Sequence, residues 1–229
     1  VLGQLKVLAY GTTPHPNVLA GFAVLSGWAV ITLMRKRSRL LTIITTAVMI
    51  WSIWITQSLS AGVSLLLLGW LALFKPSLQH LRLASLAILV GIPLLLWFVP
   101  RIDSSDSWNR RATLQQIAFH GFSQRPITGI GLGQSATLAA TNPLSQDLTR
   151  FAQPPHHTGW VILTETGMLG IVLLGVLLWN VRSELGISIW KKLLVLSPLL
   201  AWDHYLVTLQ MGVLLWIVVL LWQDNQRAT

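Results

Sequence analysis

Seven apolar runs, separated by short polar turns and by one long polar segment, dominate this chain. They cover Asn17–Met34, Leu40–Ile55, Ala61–Phe74, Leu83–Val99, Trp160–Trp179, Leu193–Trp202 and Leu206–Trp222. A helix needs about 20 mostly apolar residues to cross the hydrocarbon core of a bilayer, and water-soluble domains do not need such runs in series. Only 10% of the residues are charged, against roughly 25% in an average soluble domain, while 53% are hydrophobic. That leaves too little polar surface to enclose a soluble globule, and it excludes a disordered chain as well. The absence of Cys removes disulfide scaffolds, iron–sulfur clusters, thiolate metal sites and cysteine nucleophiles. The expected fold is all-α: a polytopic integral membrane protein of about seven spans.

Its organisation follows from the one break in apolar character. Residues 1–99 read as a four-span bundle, 100–159 as an Arg/His-rich loop outside the membrane, and 160–229 as the C-terminal spans. The stretch Leu193–Trp222 is interrupted by Asp203 and His204, and reads as one long helix, a broken pair or a tight re-entrant hairpin. The chain starts at Val1 with no basic leader, and is expected to be the C-terminal portion of something longer, with further spans upstream.

Charge sets the expected orientation. Arg35, Lys36, Arg37 and Arg39 follow the first run, Lys75 and Arg82 the third, and Arg182, Lys191 and Lys192 the fifth. Short basic loops stay in the cytoplasm, so these alternate turns share the inner side. The segment near Pro14, the turn Ser58–Ser60, the long loop and Asp203 then share the outer side. Trp54, Trp97, Trp160, Trp179, Trp202 and Trp222 sit at run ends, as an interfacial aromatic belt requires. The net charge of +9 is scattered between apolar runs. No basic helix with interleaved aromatics favours nucleic acid, so anionic lipid or a phosphate-bearing substrate is the expected partner.

Chemistry is expected in the long loop, which gathers Arg101, Arg110, Arg111, Arg125, Arg150, His120, His156 and His157. Ser107–Phe122 has helical periodicity through Leu114, Ile117, Ala118 and Phe122. Arg111 projects within that apolar face and Arg110 lies at its edge. Each either snorkels to headgroups or points into a cleft, where the planar guanidinium fork suits diphosphate. Gly129, Gly131 and Gly133 alternate after Pro126. They lack the spacing of a dinucleotide fingerprint and any Walker-type Lys, and read as a closely packed turn.

His156 and His157 stand where the loop enters the fifth run, in position to accept a proton from a hydroxyl. A zinc site there needs a third ligand that the local spacing does not supply. Glu165 lies about 8 Å into that run, a depth that marks either a functional carboxylate or a partner for a loop Arg. Asp203 and His204 are read as lining the same outer cavity.

Taken together, Arg111, then Pro126-x-x-Gly129-x-Gly131, then His156 and Glu165-Thr166-Gly167-x-x-Gly170 resemble the O-antigen ligase/polymerase family of bacterial membrane glycosyltransferases. Pro16-Asn17 upstream, and Asp203-His204-Tyr205 with Thr208 downstream, also resemble family segments. The spacing to Gly167 matches His156 rather than His157 to the family's key His. One departure is plain: Ser58-Leu59-Ser60-Ala61 carries no Arg where many members have one. The resemblance implies a GT-C-type architecture and a metal-independent transfer needing no cofactor. A glycan on a polyprenyl diphosphate carrier would pass to a glycolipid, glycan or protein hydroxyl at the outer face of the bacterial cytoplasmic membrane. Catalysis would fall to His156 and Arg111, and substrate binding to Arg110, Arg125, Arg150, His157, Glu165, Asp203 and His204. A repeat-unit polymerase or a protein O-oligosaccharyltransferase shares this donor chemistry. A flippase for lipid-linked precursors is the competing class, and it calls for charged groups near the midplane of several helices.

Overall fold

A computed structural model describes residues 8–9, 11–34, 37–98, 106–145, 153–180 and 187–221. All regular structure among them is helical. The helices are α1 (Pro16–Met34), α2 (Arg39–Thr56), α3 (Leu59–Leu73), α4 (Leu78–Phe98), α5 (Asp106–Gln124), α6 (Ser135–Thr141), α7 (Thr158–Asn180), α8 (Ile187–Trp202), α9 (Tyr205–Thr208) and α10 (Gln210–Leu221). One short 3₁₀ turn, Pro143–Ser145, follows α6.

Helices α1, α2 and α7 are long and apolar enough to span a bilayer, and α3 and the described part of α4 are shorter apolar helices. Their outer faces are oily. Ile43, Val48, Trp51 and Trp54 of α2, and Val172, Val176 and Trp179 of α7, are all exposed, as a lipid-facing surface requires. Between α1 and α2 the chain turns within a few residues. Ser38 accepts the Leu41 N–H to start α2, and Gln57 closes it in a left-handed conformation with its N–H on the Ile53 carbonyl.

One hydrophobic core joins the first helices to the last. Val24 and Leu25 of α1, Met49 of α2, Ala61 of α3, Val195, Leu196 and Leu199 of α8, and Tyr205 and Leu206 of α9 pack together. Small residues allow the approach. A Cβ on Gly21 would collide with the Tyr205 hydroxyl, and one on Gly27 with Met49.

The stretch that reads three ways in sequence is broken: α8 ends at Trp202, and the one-turn α9 and then α10 follow. Helix α8 runs through Pro198, and Ser197 Oγ donates to the Leu194 carbonyl, the acceptor that the proline cannot serve. It stops at Trp202 because Asp203 Oδ1 takes the His204 N–H, a local side-chain bond that competes with the helix.

The sequence-expected helix in the long loop is α5, with Leu114, Ile117 and Ala118 buried. It packs against α7, where Thr164 Oγ1 donates to the Ala118 carbonyl. Helix α7 is itself interrupted. Gly167 has φ 64° and ψ −164°, outside the helical region, and the break frees backbone groups on both sides. The segment before α6 takes them up. Ile130 and Gly131 donate to the Thr164 and Glu165 carbonyls, while Met168 and Leu169 donate to those of Pro126 and Ile127. A span can carry such a break only where protein satisfies it, and the glycine-rich turn does so here.

Candidate functional site

Three chain segments far apart in sequence meet where α1 begins, α7 begins and α8 ends. Asp203 is at their centre and is buried. Its Oδ2 accepts the Asn17 side-chain N–H at 2.8 Å, and its main-chain carbonyl accepts Thr158 Oγ1 at 3.0 Å. His156 Nδ1 stands 3.5 Å from Asp203 Oδ1, a long ion-pair contact. The His204 ring lies 5.6 Å from that of His156, centroid to centroid. Its Nδ1 pairs with Thr208 Oγ1 at 2.6 Å. His15 joins from the turn before α1, where its Nδ1 accepts the Asn17 N–H.

Helix α5 brings the guanidiniums. Arg111 is partly buried, with its Cζ 5.6 Å above the centroid of Trp202, a cation–π distance. Burial lowers its pKa, Asp203 opposes that effect and Arg110 adds to it, so both charges act within the same cleft. For the Asp203 carboxyl, burial alone would push the pKa up. The neighbouring His156, then His204 and the Asn17 bond, hold it well below the usual carboxylate range. Burial lowers His204 to about 4, with Asp203 opposing and the other imidazoles assisting. One carboxylate thus lies among three imidazoles and Arg111, and the charge of Arg110 is near enough to act on Arg111 and His15.

The residues expected from sequence divide into separate groups. His156, Asp203, His204, Arg110 and Arg111 come together. His157 turns away: its Nε2 lies 3.0 Å from the Leu89 carbonyl, and its Nδ1 accepts the Trp160 N–H at the start of α7. Burial lowers its pKa, while the Leu89 bond pulls the other way. Arg125 is exposed beyond the end of α5, where its carbonyl accepts the Gly129 N–H. Arg150 lies outside the described residues.

Glu165 is occupied by the glycine turn rather than by an Arg among the bonds seen. Gly133 N–H donates to Oε2 at 2.9 Å, and Ser135 donates to Oε1 through both its N–H and its hydroxyl. The carboxylate thereby caps α6. Glu165→Ala should destabilise the protein by about 1–3 kcal/mol, because partly buried donors lose their acceptor. A thermal melt against Glu165→Gln, which keeps one acceptor oxygen, measures this.

Sequence reading passed over His15, Asn17 and Thr158 as site residues. For His15 and Asn17 the local signals were a polar patch at the mouth of the first apolar run and the family-like Pro16-Asn17 pair, and Thr158 carried none beyond following His157.

An apolar helical bundle with three long apolar helices and a partly buried His/Asp/Arg cluster where helix ends meet defines a membrane protein with a polar site. This chain belongs to the O-antigen ligase family (Wzy_C), whose model matches residues 21–175. The match takes in Arg111, His156 and the paired glycine segments, and ends before Asp203. No curated protein and no solved structure matches the chain significantly. Family and fold together make it a membrane protein of ligase/polymerase type, acting in glycan transfer.

Proposed function

We propose that this protein moves a glycan from a polyprenyl diphosphate carrier to an acceptor hydroxyl at the outer face of the bacterial cytoplasmic membrane. The observation that carries this reading is His156, partly buried beside Asp203 in a cluster to which Arg110 and Arg111 add positive charge. The seven-span, GT-C-type arrangement is part of the same proposal, with residues 100–159 on the outer side.

In the transfer, the acceptor oxygen forms its bond to the anomeric carbon as the bond from that carbon to the diphosphate breaks. Polyprenyl diphosphate leaves with the electron pair. Arg111 and Arg110 stabilise the charge that develops on it. His156 takes the acceptor's proton through its Nε2, with Asp203 orienting the ring from the Nδ1 side. Every group in this scheme comes from the protein, and none of the steps calls for a metal or a nucleotide sugar. The clustering of polar groups at one end of the bundle, rather than along its midplane, favours transfer over a flippase.

The test is a cell-free reaction of purified full-length protein with labelled polyprenyl diphosphate glycan and acceptor. A product of increased mass supports transfer, and that mass separates single ligation from repeat-unit polymerisation or protein glycosylation. Translocation without transfer would support the flippase instead.

Two narrower outcomes are expected. Arg111→Lys should lower activity markedly, because a point charge does not reproduce the bidentate fork. Equal mild losses for Arg110→Ala and Arg111→Ala would mean both only touch headgroups. For topology, a Cys at position 132, where Leu132 is 78% exposed, should react with an impermeant reagent in intact spheroplasts. The chain has no other Cys to confuse the readout. Labelling only after lysis would reverse the orientation.

A further inference from the structure

We propose that His156, Asp203 and His204 form a capture site for a borderline-soft divalent cation such as Zn²⁺, and that occupying it shuts off glycan transfer. The inhibition rests on the transferase reading above. The site itself does not.

Spacing along the chain offers His156 only the neighbouring His157, which is turned to the Leu89 carbonyl. The fold supplies the missing ligands from the end of α8. Among the described residues, one ligand atom from each of His156, Asp203 and His204 lies within 4.8 Å of the others. Zinc binds imidazole nitrogen and carboxylate oxygen at about 2.0–2.2 Å, which puts neighbouring ligand atoms of a tetrahedron about 3.3–3.5 Å apart. His156 Nδ1 and Asp203 Oδ1 already stand at 3.5 Å. The buried His156 Nδ1 has no well-formed hydrogen bond among the described residues, and its long contact with Asp203 Oδ1 is one that a metal held between the two atoms would replace.

The outer shell is also in place. Thr208 Oγ1 lies 2.6 Å from His204 Nδ1 and 3.1 Å from the His204 carbonyl; when its hydrogen goes to the carbonyl, it meets the ring as an acceptor. That fixes the proton on Nδ1 and leaves the Nε2 lone pair for a metal. Asp203 Oδ2 is held by the Asn17 amide and Oδ1 by the His204 N–H. Outer partners of this kind orient ligands in protein metal sites. With two imidazoles and one carboxylate, a fourth position stays open to water, the arrangement of an accessible rather than a closed zinc site. Arg110 and Arg111 oppose a cation here and limit its affinity. A metal on His156 Nδ1 would also displace the proton that Asp203 orients, leave the ring's remaining proton on Nε2, and so remove the base.

Co²⁺ titration of the detergent-purified full-length protein tests the site without reference to activity. One equivalent per chain should give intense tetrahedral visible absorption that Zn²⁺ displaces. His156→Gln and His204→Gln should each weaken Co²⁺ affinity at least tenfold. Thr208→Val, which keeps all three ligands, should weaken it by about tenfold or more. Absence of the absorption in the wild type, or its persistence unchanged in all three variants, overturns the site. Zn²⁺ should stop transfer and a chelator should restore it. Metal bound while transfer continues at the metal-free rate overturns the inhibition. A protein that binds Co²⁺ but transfers no glycan under any condition keeps the metal site and sinks the transferase reading instead.

Discussion

His156→Ala lowers turnover by about 10²–10⁴-fold, the usual scale for a positioned general base. His157→Ala loses far less, and His157→Asn least of all. The two rings are sequence neighbours with different work. His156 faces Asp203 across 3.5 Å, whereas His157 ties the start of α7 to the Leu89 carbonyl and accepts the Trp160 N–H. Asn is a good residue for that helix-capping role, so it preserves what His157 does. Asp203→Asn is expected to lie between the two, since an amide still bonds to its neighbours but no longer balances the imidazolium formed in the reaction. The measurement is kcat and KM at matched membrane expression. A change confined to KM would make His156 a donor-positioning group rather than the base. Full activity in His156→Ala with loss in His157→Ala would reverse the assignment.

Gly129→Ala and Gly167→Ala abolish the fold around the site, each costing at least about 3 kcal/mol. Gly129 has φ +69° and Gly167 φ +64°, and a side chain in this region is strained by itself. The larger penalty is steric. A Cβ on Gly129 would meet the backbone of Glu165 and Thr166 at about 2.4–2.5 Å, and one on Gly167 would meet Ile127 and Gly129 at similar distances. Backbone cannot swing aside as a side-chain tip can, so the four hydrogen bonds across this seam would separate. Gly133→Ala is the control: it also has positive φ, but its added Cβ meets nothing within 4 Å. It should lose only the strain of that conformation, about 1–3 kcal/mol. Thermal unfolding in detergent compares the three. Equal losses would show that strain rather than collision dominates.

These glycines show how far the sequence could be read. Their alternation after Pro126 indicated a tight turn. What the turn packs against was not visible. The same holds for Glu165: its depth in an apolar run marked it as costly, but the donors it meets, Gly133 and Ser135, lie about 30 positions away.

By itself the sequence determined the all-helical class and the existence of α5, because hydropathy and helical periodicity are properties of neighbours along the chain. Tertiary structure alone decided that the last apolar stretch breaks after Trp202 into α8, the one-turn α9 and α10, that His157 turns away, and that Asn17 and Asp203 meet across 186 positions to hold His156 between the ends of three helices. A buried carboxylate must find its donors wherever the packed helices bring them, and no local pattern in the chain records which helix end will supply them.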